Sequence, residues 1–139
     1  MIQLVDDQIL SRVLRGSAPP KRGAEVFTTG YWYVRLCQAV LGASGATGVL
    51  SAPFAALPPA SRDGAVQGLL ELPDSIGLLS LRDLAPLIGQ LRRRRELNIL
   101  GMEALAAATR LDADVFLSTP SPRLESALRA EGCRVTVRR

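Results

Sequence analysis

Acidic side chains stand at two places where a short chain could assemble chemistry. Near the start, a brief apolar run ends in Asp6 and Asp7. Far downstream, Glu103 opens a helical stretch that leads into a second apolar run beginning at Asp114. In an open parallel sheet, ligands collect beyond the C-terminal ends of the strands, so Asp6 and Glu103 are placed to meet across such an edge. Two carboxylates meeting there are hard oxygen donors that could hold a divalent metal. The chain has no histidine, which removes Ser-His-Asp and Cys-His catalysis, imidazole-bound zinc and imidazole acid-base chemistry. Chemistry therefore falls to carboxylates or hydroxyls, and Ser118, Thr119 and Ser121 have no base in view. Each acid also has a plain structural use. Asp6 suits the N-cap of a first helix, Glu103 suits the first turn of its helix, and Asp112 and Asp114 read as turn residues ahead of a strand.

The cations are arginines. Lys and Arg total 17 against 13 Asp and Glu, a net charge of +4, and Lys21 is the single lysine. Guanidinium suits bidentate recognition of phosphate or carboxylate, so an anionic partner is allowed and a surplus this small does not demand one. Arg92, Arg93, Arg94 and Arg95 read either as a solvated helix end, where cations suit the dipole, or as a phosphate-binding patch. Tyr31, Trp32 and Tyr33 are three of only six aromatics. Helical spacing buries Trp32 and leaves the tyrosines partly exposed, available for base stacking or a partner interface.

The elements that must position these groups alternate. Residues 2–5 read as a strand buried on both faces, and 7–15 as a helix striped by Ile9, Leu10, Val13 and Leu14, with Gly16 as its stop. Residues 17–23 are a polar Pro-Pro loop. A helix over 30–41, capped by Thr28 or Thr29, carries Trp32, Leu36, Cys37, Val40 and Leu41. Residues 42–48 read as a mobile turn, and Ser61 caps a helix ending near Leu72. An apolar run at 76–81 predicts a strand, and Leu84, Leu87, Ile88 and Leu91 stripe the next helix. The Glu103 helix, a strand at 114–119, a helix at 121–130 and a strand at 134–137 complete the chain. Apolar strands alternating with helices predict a single α/β domain over residues 1–139, three layers around a parallel sheet of about four strands.

This order, and these residues, resemble the PIN domain, the fold of the VapC toxin ribonucleases. Val5 to Leu10 is similar to the family's opening strand and its Asp, Thr-or-Ser, Asn-or-Ser, any residue, Leu motif. Glu103 to Ala107 is similar to its Asp-Ala-Leu helix, and Asp112 to Thr119 to the Gly-Ala-Asp strand that follows. Arg123-Leu124 and Arg134 to Val137 are similar to its closing helix and strand. The likeness spans the first fifteen residues and the last forty-five or so, with element order alone between them. The family cuts single-stranded RNA with Mg²⁺ or Mn²⁺ on three or four carboxylates, a donor set that leaves room for water and phosphate. The resemblance carries the first acid onto Asp6 and a later one onto Glu103. A second acid falls on Arg35, and the last falls where Thr119 to Pro122 offers only hydroxyls.

The resemblance thus implies a PIN-like domain with an eroded acidic site, in which Arg35 pairs with Asp6 or Glu103. Its partner would be single-stranded RNA or another protein. An active Mg²⁺- or Mn²⁺-dependent ribonuclease toxin using Asp6, Asp7 and Glu103, with a cognate antitoxin, is the alternative. A non-catalytic interaction module built on the Trp32 helix and the proline-rich 53–59 segment is a third. A homodimer is implied by the resemblance. Two isolated cysteines, Cys37 and Cys133, suit a reduced compartment. No apolar run is long enough to span a bilayer, and an acidic N-terminus is unlike a signal peptide. The expectation is a cytoplasmic protein.

Overall fold

The computed structural model describes residues 1–42 and 48–138. The elements run β1 Ile2–Val5, α1 Asp7–Leu14, β2 Glu25–Thr28, α2 Gly30–Leu41, α3 Ala52–Ala55 and α4 Pro59–Leu70. They continue β3 Ile76–Leu78, α5 Leu81–Leu91, α6 Ile99–Leu111, β4 Asp114–Leu117, α7 Pro122–Ala130 and β5 Val135–Val137. The five strands form one parallel sheet in the order β3-β2-β1-β4-β5. Alternate side chains of β1 feed two apolar clusters. Leu4 packs with Leu84, Leu91, Leu105 and Leu128 of α5, α6 and α7, whereas Val5 packs with Leu10, Leu36, Phe54 and Leu69 of α1 to α4. Two helical layers therefore enclose the sheet, the α/β/α architecture that apolar, non-alternating strands require.

The sheet has five strands where four were expected. The extra one, β2, is only Glu25–Thr28, lies beside β1, and follows a glycine-containing polar loop that masks it in sequence. Other boundaries shift because capping groups outrank apolar pattern. The apolar run at 76–81 is cut after Leu78, since Ser80 accepts the Asp83 N–H and starts α5. Pro59, at a position where a missing N–H costs nothing, starts α4 ahead of Ser61, and the helix ends at Leu70. Asn98 caps α6, so Glu103 sits in the second turn and not at the helix start. Thr29 caps α2, while the Thr28 hydroxyl donates to the Val5 carbonyl at 2.9 Å. Asp112 turns the chain in the left-handed region with φ 49°. The turn expected at 42–48 lies, but for its ends, outside the described residues.

Polar anchors hold the sheet's N-terminal end. Gln3 is fully buried within β1, and its amide donates to the carbonyls of Lys21 and Ala24 and accepts the Lys21 N–H. A buried amide satisfied on both sides fixes the 17–24 loop against the strand. Asp114 is not a turn residue but the first of β4, where Lys21 and Arg134 both pair with it. The Lys21 hydrogen bond, with help from Arg134, holds its carboxyl below the usual range. Just ahead of β5, Arg94 and Arg95 close on Glu131 at 2.8 and 3.0 Å, tying the turn after α5 to the end of α7. Cys37 and Cys133 are free thiols. Among the described residues no helix is long and apolar enough to cross a membrane.

One glycine is set by a neighbouring ring. Gly77 in β3 stands opposite Phe27 in β2, and a β-carbon there would lie 2.5 Å from the ring. Gly77→Ala should cost about 1–3 kcal/mol through overpacking, read as a lower urea midpoint. An unchanged midpoint would show that Phe27 swings clear at no cost.

Candidate functional site

Strand order reverses direction between β1 and β4, and the crevice outside their C-terminal ends is where an open α/β sheet offers a ligand site. Asp6 lies there, immediately after β1. Its Oδ1 accepts the Ile9 N–H at 3.0 Å and so caps α1. Its Oδ2 accepts the N–H and the hydroxyl of Ser118 at 2.7 and 2.6 Å. The carboxylate thus closes the gap between β1 and β4 just where the two strands part. Three donors on one buried carboxylate leave it strongly held in place.

Glu103 turns elsewhere. It is 0% exposed, and its two oxygens accept the N–H groups of Tyr31 at 2.7 Å and Gly30 at 3.2 Å. Those are first-turn amides of α2, which lack intrahelical partners, and the positive end of the helix dipole favours an anion there. Gly30 permits the approach, since a β-carbon at that position would sit 3.1 Å from Glu103 Oε2. Glu103 is a cap supplied from another helix.

Asp7 is the acid that meets Arg35. Its Oδ2 lies 3.4 Å from Arg35 Nε and, among the described residues, is the buried side-chain oxygen with no hydrogen bond. Burial foremost, then the neighbouring Asp6 charge, pushes the Asp7 carboxyl above its usual range, against the pull of Arg35. The expected pairing of Arg35 with Asp6 or Glu103 is therefore corrected. Those two are already saturated by backbone and Ser118 donors, and Arg35 takes the acid left over. Asp7 also lies close enough to feel Asp6, although alternation along a strand would have turned the two apart. Helix α1 begins at Asp7, so strand alternation no longer applies.

What faces solvent at this edge is cationic. The Arg35 side chain is 55% exposed while Asp7 beneath it is 8% exposed. Arg35 and Arg123 line an open cleft of about 360 Å³ with Asn98, Gly101 and Ser121. Arg123 is steadied by the Glu96 carbonyl at 2.7 Å. Of the four clustered arginines, Arg94 and Arg95 are committed to Glu131, and Arg92 reaches Glu96 at 3.4 Å. Arg93 has no carboxylate partner among the described residues. Trp32 is buried in the core, and Tyr31 and Tyr33 are half-buried, with the Tyr33 hydroxyl donating to the Leu69 carbonyl.

A divalent ion needs carboxylate oxygens open to it and to water. Glu103 has neither an open oxygen nor solvent, Asp6 is held by three donors, and a guanidinium covers Asp7. Among the described residues no group of three or more His, Cys, Asp or Glu could hold a metal. The acids as placed do not fit Mg²⁺ or Mn²⁺. Sequence reasoning missed Ser118 as the partner of Asp6, and Arg123 and Asn98 as walls of the cleft. Neither family models nor curated proteins supply a match to this sequence.

Two expectations follow from this geometry. Glu103→Ala strands two partly buried N–H donors and should cost roughly 1–3 kcal/mol in urea denaturation. Unchanged or raised stability would instead mark Glu103 as a strained functional acid. For Asp7, the fold binds the proton more tightly than the unfolded chain does. Its favourable contribution is complete below the ordinary carboxylate range and is lost as pH rises through the raised value. Asp7→Asn should therefore melt higher than the native chain at pH 7, the gap closing as the solution is made acidic. A lower melting temperature at pH 7 would show that the Arg35 pairing outweighs burial.

Proposed function

We infer that this chain is a PIN-like domain that binds single-stranded RNA through the cleft at the sheet's C-terminal edge without cutting it efficiently. One observation carries the reading. The acids at this edge turn inward onto backbone amides, Ser118 or Arg35, while the guanidiniums of Arg35 and Arg123 turn outward. Such an edge attracts phosphate and offers no open carboxylate to activate water. Two arginines lining one cleft suit the phosphates of a flexible strand, each contact releasing counterions. The sequence resemblance supplies the RNA. The edge supplies the reason for weak or absent cleavage.

Binding of a short fluorescein-labelled single-stranded RNA, followed by anisotropy, tests this. Arg35→Ala and Arg123→Ala should each weaken binding and reduce the salt slope by about 0.7, the value for one lost single-strand phosphate contact. Unchanged affinity and slope in both variants would remove the cleft from RNA binding. Robust Mn²⁺-dependent cleavage of the same RNA, abolished in Asp6→Asn, would overturn the eroded-site reading and establish the ribonuclease. Failure of any RNA to bind, with self-association across concentration in gel filtration, would favour the interaction module.

A further inference from the structure

A second cationic site lies beside α1 and shares no lining residue with the cleft. Helix α1, the proline-bearing loop before β2 and the residue after β5 enclose a groove of about 370 Å³. Arg12, Arg22 and Arg138 line it, and no Asp or Glu is among its lining residues. Among the described residues none of these three arginines has a carboxylate partner, whereas Lys21 and Arg134 nearby are both spent on Asp114. Arg12 adds to the burial that already lowers the pKa of Arg15, a sign of the positive field along this side of α1.

Like charges gathered round one groove repel, and the fold holds them there by several separate devices. The buried Gln3 amide pins the loop that carries Arg22. Arg138 donates to the Pro20 carbonyl and lies 6.0 Å from the centre of the Phe116 ring. Pro19 and Pro20 form a stiff wall, and Ile9 contributes an apolar floor. Three forked guanidiniums with no internal counter-charge match one ligand type well. A phosphate monoester carries about −1.5 to −2 at pH 7 with three strong acceptor oxygens, and arginine binds such oxygens in bidentate fashion. A phosphodiester, with one charge, would leave more of the field unneutralised. A groove of this volume accepts a phosphate with a small organic body beside it.

We propose that Arg12, Arg22 and Arg138 form a binding site for a phosphate monoester group. The group is either that of a small phosphorylated molecule or the 5′-phosphate at the end of an RNA. The shared chemistry is the terminal phosphate, and the apolar wall of Ile9, Pro19 and Pro20 takes whatever it is attached to.

Titration calorimetry in chloride buffer at matched ionic strength tests it with inorganic phosphate, a nucleoside 5′-monophosphate and the parent nucleoside. The two phosphates should bind saturably and the nucleoside should not. Arg22→Gln and Arg138→Gln should each weaken the monophosphate about tenfold, the loss of one charged hydrogen bond, while Arg82→Gln on exposed α5 leaves it unchanged. Because Arg12 is half-buried on α1, its role is read in the native chain instead. Phosphate should move the amide signals of Arg12, Ser17 and Arg22 in a nitrogen-proton correlation spectrum. A 5′-phosphorylated RNA that binds more tightly than its 5′-hydroxyl twin, by a margin removed in Arg22→Gln, assigns the source to an RNA end. Mononucleotide binding with no difference between the two RNAs assigns it to a small molecule. Absence of saturable binding by every phosphate-bearing probe, signal changes confined to residues away from the groove, or an equal loss in Arg82→Gln overturns the proposal.

Discussion

A carboxylate removed wholly from water must find hydrogen-bond donors or lose its charge, and the C-terminal edge of this sheet is arranged around that requirement. Glu103 finds its donors in the first turn of α2, where unpaired amides and the helix dipole meet its needs together. The consequences spread outward. Gly30 leaves room for the carboxylate, since a β-carbon there would sit 3.1 Å from Glu103 Oε2. Helix α2 is thereby seated against α6, and the Arg35 it carries falls over Asp7. Asp6, left without a cation, takes Ser118 and locks β1 to β4. An acid that in isolation suggests catalysis serves here as the peg on which two helices and the sheet edge are hung.

Charge elsewhere follows from how the acids are spent. Asp114 and Glu131 each bind two basic side chains and are drawn below their usual pKa by them. Asp6 and Glu103 turn inward and Arg35 covers Asp7, so none of these three carboxylates answers a surface arginine beyond Arg35. Among the described residues, Arg123 in the cleft and Arg12, Arg22 and Arg138 in the groove beside α1 have no carboxylate partner. A modest net charge can therefore produce local fields that favour phosphate, because distribution and not total sets the local potential.

The fold was legible wherever pattern and capping agreed. The apolar runs at 2–5 and 114–117, the α2 stripe from Trp32 to Leu41 and the arginine-rich end of α5 all stand close to where spacing puts them. It was illegible where a stop was a single polar atom. Ser80 and Asn98 set helix starts through one hydrogen bond each, a signal too small to overrule neighbouring apolar residues in a one-dimensional reading. Strand β2 escaped because four residues between a polar loop and the start of α2 carry almost no periodicity. Of the site, Asp6 at the strand tip and its capping role were visible. Its partnership with Ser118, more than a hundred residues away in sequence, was not.

The sequence by itself determined the class of the protein: an α/β chain with aliphatic strands, no histidine, an arginine surplus, and acids at the end of its first strand and on the helix before the 114–117 strand. Composition and periodicity suffice for those, since they depend only on which residues are present and at what local spacing. Only the tertiary structure decided what the acids do. Asp6, Asp7 and Glu103 have comparable sequence settings, yet one binds a serine, one an arginine and one a helix end. A carboxylate's role is set by the donors that reach it through space, and no spacing along the chain encodes which of them arrives first.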